Sequence, residues 1–499
     1  MNDLAEKALH GLDVARRQVR GHAVVSFAAA GFALAATVVV AGGAVGAANS
    51  TRPLTSWLGL QDRHPPRATD SGPATVMLAA VVALLALWIA ATAYVRRRPQ
   101  PPARVWLLAA AWGAPFALGP PLLDTGVYSY TAFGLVQRAG GNPYHSAPAS
   151  LGDLPIVAAI DPGARGTPSG VGPLGTLVEH LAVSVGRGSA LAAVLVLRVL
   201  AVVVVGWIGR LAAELGGDHA DRALTLTALN PLVLLFVVSA AHLDGLVAAL
   251  VLAALVAARQ RHWARAVGLA CVAGSVSGPG FVAAFALVVA HAVTMRRASQ
   301  RPATRWRATA LDLGVAAAVT CAAGFAVRGR FGWLQTASKQ FADHTVYSAA
   351  GAVSALLAPI VRGASYDDVA IGGRVTALAA LAFALGYLAA TAPRRPTRHT
   401  VGYALLALGL LAPALHPWYL LWGVLCLAPD ATGARRLAVV ALSAAGCVLA
   451  PAGFSPTVAD AVTGGLLAVI ACGVAFALCR KPGEPRAEPA RDGTLSAAG

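Results

Sequence analysis

Charge is the scarcest thing in this sequence. Only 12% of its 499 residues are Asp, Glu, Lys or Arg, against roughly 25% in ordinary soluble domains. So small a fraction cannot coat a water-soluble globule of this length. Acidic residues are rarer still, 22 against 39 Lys and Arg, which leaves a net charge of +17. Cysteine is also thin: six residues, nearly all inside apolar stretches and with no CxxC pair, which excludes a disulfide framework or a zinc site. No GxGxxG, Walker or HExxH pattern stands in a context that supports it, so a soluble nucleotide site is excluded as well.

What is present is apolar. Hydrophobic residues make up 57% of the chain and the mean hydropathy is +0.66, the opposite of a disordered composition. The basic residues sit in short clusters between long apolar runs, the pattern by which membrane proteins mark their cytoplasmic loops, and not in a nucleic-acid-binding patch. The fold class that follows is all-α: a polytopic transmembrane helical bundle of about 11–14 membrane helices, at ~20 residues per crossing.

Lys7, Arg16, Arg17 and Arg20 precede an apolar run at 24–48, which reads as a retained first helix, too long for a cleavable signal. Runs at 74–95 and 105–123 are joined by a loop holding Arg96, Arg97, Arg98 and Arg104. Placing that loop and the N-terminus inside brings the third helix out on the outer face, with Asp124 at the surface. A long outer loop, 124–175, rich in Gly, Pro and Ser, follows; loops of that length tend to be functional. Residues 172–184 read as a helix near the outer interface. Further spans are expected at 190–213, 224–240, 243–258, 309–327, 375–392, 403–415, 437–449 and 459–478. The region 266–293 is broken by Ser277–Gly280 and reads as two half-helices in a hairpin. The domain division is a cytoplasmic segment 1–23, a transmembrane domain 24–479 and a disordered cytoplasmic tail 480–499.

This threading gathers the unusual polar and aromatic motifs on one side. If the segment D-T-G-V-Y-S-Y starts a helix, Asp124 and Tyr128 share a face four residues apart, where a carboxylate beside aromatic hydroxyls can take a proton from a sugar hydroxyl; helix capping by Asp124 stands as the alternative. His242 and Asp244, between two apolar runs, read either as caps on two helix ends or as contacts to substrate or ion. His416, Trp418 and Tyr419 suit an interfacial aromatic belt as well as sugar stacking. Arg198, deep in its run, either pairs internally or meets a phosphate. Arg328 and Arg330, with Phe331 and Trp333, suit a lipid phosphate or an interfacial anchor. Asp244, Asp367 and Asp368 leave a divalent cation open, without diagnostic spacing.

Taken in order, these motifs resemble the actinobacterial polyprenol-phosphomannose-dependent α-1,6-mannosyltransferases, multi-spanning glycosyltransferases of the C-type fold. The resemblance rests on Asp124 with Tyr128, Ser129 and Tyr130; on Gly141, Asn142, Pro143 and Tyr144; and on Thr167, Pro168, Ser169, Gly172 and Pro173. It continues through Asn230-Pro231-Leu232, Ala241-His242 with Asp244, Gly332-Trp333, and His416-Pro417-Trp418-Tyr419. It implies inverting transfer of mannose from a polyprenyl-phosphate donor to a growing mannan or glycolipid acceptor of the lipomannan type. The reaction would occur on the outer face of the plasma membrane, with both termini cytoplasmic, Asp124 as base and no nucleotide. The chain departs from the family pattern in having Ser277 where a lysine commonly precedes the Gly/Pro break, and Val171 where an aromatic is usual. Transfer of another polyprenyl-phosphate sugar, transport or flipping of a lipid or sugar, and a silent scaffold remain as competing readings.

Overall fold

In a computed structural model the chain is described for residues 23–43, 72–161, 163–327, 329–340, 348, 351, 366–412 and 415–448. The expected span at 459–478, both terminal segments, Arg328, Cys472 and Cys479 lie outside these. The described residues are helical and contain no strand. In chain order the helices are α1 (Ala23–Gly43), α2 (Gly72–Arg97), α3 (Pro102–Leu118), α4 (Gly126–Arg138), α5 (Pro155–Ala158), α6 (Pro173–Val185), α7 (Ala190–Gly216) and α8 (Ala220–Leu226). Then come α9 (Pro231–Ser239), α10 (Asp244–Arg259), α11 (Trp263–Val276), α12 (Pro279–Arg297), α13 (Pro302–Phe325) and α14 (Trp333–Gln340). The last four are α15 (Tyr366–Thr391), α16 (Thr397–Leu411), α17 (Tyr419–Leu427) and α18 (Gly433–Val448).

Six of these stretches are long and apolar enough to cross a bilayer: α1, α2, α7 with α8, α12, α13 and α15. The bent pair α9–α10 makes a seventh if counted as one span. The expected count of about 11–14 membrane helices was made of the whole chain; the described residues supply six or seven that are long and apolar enough by themselves. Several apolar runs fold as helices too short to cross, such as the 14-residue α11 and the 9-residue α17, because proline, glycine and asparagine interrupt them. The runs at 224–240 and 243–258 are not two independent spans: the first is broken before Pro231, and α9 meets α10 at 120°. The expected break at 266–293 is present, with α11 ending at Val276 and packing against α12, although α12 alone is long enough to span.

Polar groups, most of them buried, fix the bundle. Ser189 caps α7 by accepting the Ala192 N–H. Trp88 donates its indole N–H to the Thr225 carbonyl at 2.8 Å, and Trp112 to the Phe27 carbonyl at 2.9 Å, which lets both large rings be buried without an orphan donor. Arg198 pairs internally, its Nη1 donating to the carbonyls of Phe116, Ala117 and Gly119. These are C-terminal carbonyls of α3 that no helical turn satisfies. A guanidinium in the first third of α7 thereby ties off the end of α3, a few residues before Asp124. Asn230 does the equivalent for α9: its Oδ1 accepts the Leu232 N–H, and its Nδ2 donates to Leu226 O and to Ser443 Oγ on α18 at 2.8 Å.

The second half of α9 is a π-helical turn, Leu234–Ser239, a widening often found where a helix serves a site. Ala241 then takes a left-handed φ of 53°, and the His242 N–H donates back to Phe236 O at 3.1 Å. Gly245 closes the corner, since a Cβ there would sit 2.4 Å from Val237 Cγ1.

Replacing Asn230 with Ala removes a cap and two further donations, and should lower unfolding stability by about 2 kcal/mol. Ser443→Ala should cost about 1 kcal/mol or less. Denaturant unfolding in detergent would measure both.

Candidate active site

Three segments far apart in the chain meet where regular helix fails. Leu123, a few residues after the last carbonyl held by Arg198, adopts φ 68° and delivers Asp124 to the start of α4. The carboxylate turns back on its own chain, Oδ1 accepting the Gly126 N–H at 2.5 Å. The same Oδ1 lies 3.0 Å from His242 Nε2. The other edge of that imidazole faces Asp244 Oδ2 at 3.6 Å and the Tyr130 hydroxyl at 3.2 Å. His242 is thus flanked by two carboxylates. Its face stacks on Trp418, ring centroids 4.1 Å apart, and Trp418 in turn stacks on His416 at 4.5 Å. Phe236 and Tyr419 complete the aromatic wall.

His242 is almost closed off at 3% side-chain exposure, whereas Asp124 retains 21%. The carboxylate is therefore the group that meets the outside. Burial alone would raise its pKa. The charge of His242 at 3.0 Å, the Gly126 N–H and the more distant His416 outweigh burial, and Asp124 titrates below its ordinary value. Its Oδ2 makes no hydrogen bond or ion pair among the described residues. For His416 burial dominates and depresses the pKa, the nearby cation His242 adds to this, and Asp124 and Asp244 oppose it.

Of the residues singled out from sequence, Asp124, Tyr130, His242, Asp244, His416, Trp418 and Tyr419 converge here. Tyr128 does not. Helix α4 begins at Gly126, so Asp124 precedes it and the four-residue spacing does not apply; Tyr128 points into the core at 1% exposure. Tyr130 takes the place beside His242. Ser129 is half-buried on the same turn. The capping reading of Asp124 does not hold as stated, for Thr125 is the N-cap of α4; Asp124 Oδ1 instead accepts the N–H of Gly126 two residues on and faces His242.

The remaining candidates form a second group. Asn142 Oδ1 accepts the Tyr144 N–H, and the Ser169 N–H donates to Pro143 O at 2.8 Å. The Gly172 N–H donates to Val276 O at the α11–α12 break. Gly329 and Gly332 press on the Tyr144 ring, leaving no space for a Cβ. Trp333 stacks on Phe281, just after that break, at 5.5 Å. Arg330, on this same loop, is exposed and lies over the Phe325 ring. Ser169 and Asn142 thus order loops and are not part of the Asp124 cluster. No group of three or more His, Cys, Asp or Glu able to hold a metal occurs among the described residues, and Asp244 is occupied by His242 and Trp422.

Two residues escaped the sequence reading. Trp422 donates its indole N–H to Asp244 Oδ1 at 2.9 Å and stacks on Tyr419; the signal was its place one helical turn beyond Trp418. Glu179, on α6 against α4, is wholly buried, with neither carboxylate oxygen hydrogen-bonded among the described residues. A single acidic residue in an apolar helix was its only sequence mark.

Comparison with known proteins, taken with the apolar helical bundle, places the chain among the membrane glycosyltransferases. Residues 28–293 match the model described as alpha-(1->6)-mannopyranosyltransferase, N-terminal domain, and residues 347–480 match the MptB C-terminal domain. The chain belongs to this alpha-(1->6)-mannopyranosyltransferase family. It is similar to two alpha-(1->6)-mannopyranosyltransferases of Mycobacterium tuberculosis, 26% identical over 394 residues and 27% over 352. Each match covers 66% of this chain and 66% of the relative's length. A probable alpha-(1->6)-mannopyranosyltransferase of Mycolicibacterium smegmatis is 26% identical over 458 residues, covering 80% of this chain and 78% of its own.

Two tests follow from the geometry. A Cβ at Gly126 would stand 2.6 Å from Asp124 Oδ1 and 3.1 Å from His242 Cε1. Gly126→Ala should cut sugar transfer about 100-fold by displacing the carboxylate. Gly113→Ala, whose Cβ meets only Leu234 at 3.6 Å, should leave transfer near wild type. Secondly, the carboxyl infrared band that disappears in Asp124→Asn should titrate with a midpoint below ~3.9. The ionised form, and the stability its pairing contributes, then persists through neutral pH and is lost only as pH falls through that lowered value.

Proposed function

We propose that this chain moves mannose from a polyprenyl-phosphate carrier to an α-1,6-mannan acceptor at the outer face of the plasma membrane, with inversion at the anomeric carbon. The observation that carries the reading is the half-committed Asp124. Oδ1 is fixed by His242 and Gly126, while the side chain keeps 21% exposure, so Oδ2 is left to meet a substrate. In the proposed step an acceptor hydroxyl oxygen bonds to the anomeric carbon on the face opposite the phosphate. The bond from that carbon to the phosphate oxygen breaks, its electron pair leaves with the polyprenyl phosphate, and the hydroxyl proton passes to Asp124 Oδ2. A carboxylate of lowered pKa is a weak base. It suffices because glycosyl transfer runs through an oxocarbenium-like transition state, in which the hydroxyl grows acidic as its bond to carbon forms.

His242 is a positioning residue in this scheme, held by Asp244, Tyr130 and Trp418. Asp244 is itself anchored by Trp422. Sugar faces stack on aromatic rings, and His416, Trp418 and Tyr419 present such a wall. Where the family commonly has a lysine, this chain has Ser277. Arg330 is the cation we assign to the departing phosphate, because its loop packs through Tyr144, Pro143, Ser169 and Gly172 onto the same α11–α12 break. The relatives' printed names support the sugar and the linkage. The lipid carrier, the lipomannan-type acceptor and the outer face rest on the family resemblance and on the basic loop Arg96–Arg104.

The test uses membranes carrying the protein, radiolabelled polyprenyl-phosphomannose and a short α-1,6-mannoside. Chain extension should fall by about 100-fold or more in Asp124→Asn at equal expression, the usual contribution of a positioned base. Extension that survives this substitution would remove Asp124 from the mechanism. The absence of extension with any lipid-linked sugar would instead favour transport. A thiol introduced at His416 should react with an impermeant reagent in intact cells, and one at Arg97 should not.

A further inference from the structure

At the end of the bundle opposite Asp124 lies a cavity of about 160 Å³ lined by Thr92, Arg96, Arg222, Thr432, Gly433 and Arg436. The two ends are separated by α3, whose 17 residues span roughly 26 Å at ~1.5 Å each. Three guanidinium groups reach this cavity from three elements: the last turn of α2, the first turn of α8 and the first turn of α18. None forms an ion pair among the described residues. The neighbouring carboxylate, Asp221, is already committed, one oxygen accepting the Gln100 N–H at 2.9 Å and the other the Arg222 N–H at 2.8 Å. Arg222 Nε is buried without a hydrogen-bond partner there. The charges of Arg96 and Arg222 act on Arg436 with no acid in opposition.

Like charges gathered at a partly enclosed site repel, and the arrangement is stable only if something of opposite sign neutralises it. The neutral groups suit the same visitor. Thr432 adds a hydroxyl to the lining, and the 16-residue α18 opens at Gly433, where the N–H groups of Gly433 and Ala434 precede the first ones that are bonded, those of Arg435 and Arg436 to Thr432 O. Arginine forks, a hydroxyl and a helix N-terminus together match a tetrahedral dianion or diester. The second arginine-lined cavity, about 480 Å³ beside Arg259, Arg261 and Arg398, makes an instructive contrast. There Arg398 is paired with Asp430, and Arg259 donates to the Glu214 and Leu215 carbonyls. One of its three arginines is thus neutralised and a second has donors taken by carbonyls, whereas no arginine of the smaller cavity is ion-paired among the described residues.

We propose that the Arg96–Arg222–Arg436 cavity is a phosphate-group binding site, separate from the sugar-transfer centre and on the other side of the bundle. Its ligand is either the phosphodiester of an anionic lipid headgroup or a soluble phosphate. Basic pockets between helices at a membrane's cytoplasmic side favour such groups. The site goes beyond the transfer reaction and does not depend on it.

The experiment uses the full chain in phosphatidylcholine nanodiscs and follows thermal unfolding. In one arm phosphatidylglycerol is titrated into the bilayer; in the other inorganic phosphate is titrated into the buffer. At least one arm should raise the unfolding temperature, and the apparent affinity should be about tenfold weaker in Arg222→Gln and in Arg436→Gln, the loss of one hydrogen bond to a charged group. Arg307→Gln, an exposed arginine elsewhere, should bind as wild type. A response to phosphatidylglycerol alone identifies a headgroup, and a response to inorganic phosphate identifies a soluble ligand; either supports the site. No response in both arms, or an Arg436→Gln protein that responds as wild type does, overturns it. Arg436→Gln keeps the test decisive if Arg222→Gln fails to fold.

Discussion

An imidazole held between two carboxylates joins the chain's distant parts into one site. His242 brings together Asp124 from the end of α3, Asp244 from the start of α10 and, through stacking, Trp418 from the segment before α17. In a medium where ionisable groups are costly, each member needs the others. Asp124 without His242 would be a carboxylate facing its own desolvation, and His242 without Asp244 would lose the contact that turns its ring. Trp422, hydrogen-bonded to Asp244, extends this dependence into the body of the bundle.

Strain marks the same place. Among the non-glycine residues with left-handed backbone are Leu123 and Ala241, immediately before Asp124 and His242. Each such residue costs of order 1 kcal/mol or more and persists only where its surroundings over-determine it. Arg198 supplies part of that determination on one side by gathering the α3 carbonyls. Asn230 and the π turn supply it on the other. The site is thus assembled from helix ends, which offer backbone groups and sharp changes of direction that helix interiors do not.

Much of this was legible in the sequence, and the reasons for the misses are physical. Composition and basic clusters were enough for an apolar helical bundle. The motifs around Asp124, His242 and His416 stood out because ionisable and aromatic groups are rare in such a chain. Periodicity misled at Tyr128, since the helix starts two residues after Asp124 and rotates Tyr130 onto the site. Hydropathy registers apolar runs and not the bends inside them, which is why the runs at 224–240 and 243–258 read as two straight spans where α9 and α10 meet at 120°. Glu179 and the Asp244–Trp422 bond were invisible, for both are made by packing between elements distant in sequence.

Gly126 shows what this construction demands. Its N–H bonds Asp124, and a methyl group on its α-carbon would meet that carboxylate and the neighbouring ring. Elsewhere in a helix, exchanging glycine for alanine is a dependable way to harden a protein against heat, worth up to ~1 kcal/mol. Here the same exchange would press a methyl group against the acid and the imidazole where they meet. Thermal hardening by helix propensity can therefore draw on helical glycines where a Cβ would meet nothing, such as Gly206 and Gly314, but has to leave the first residue of α4 bare.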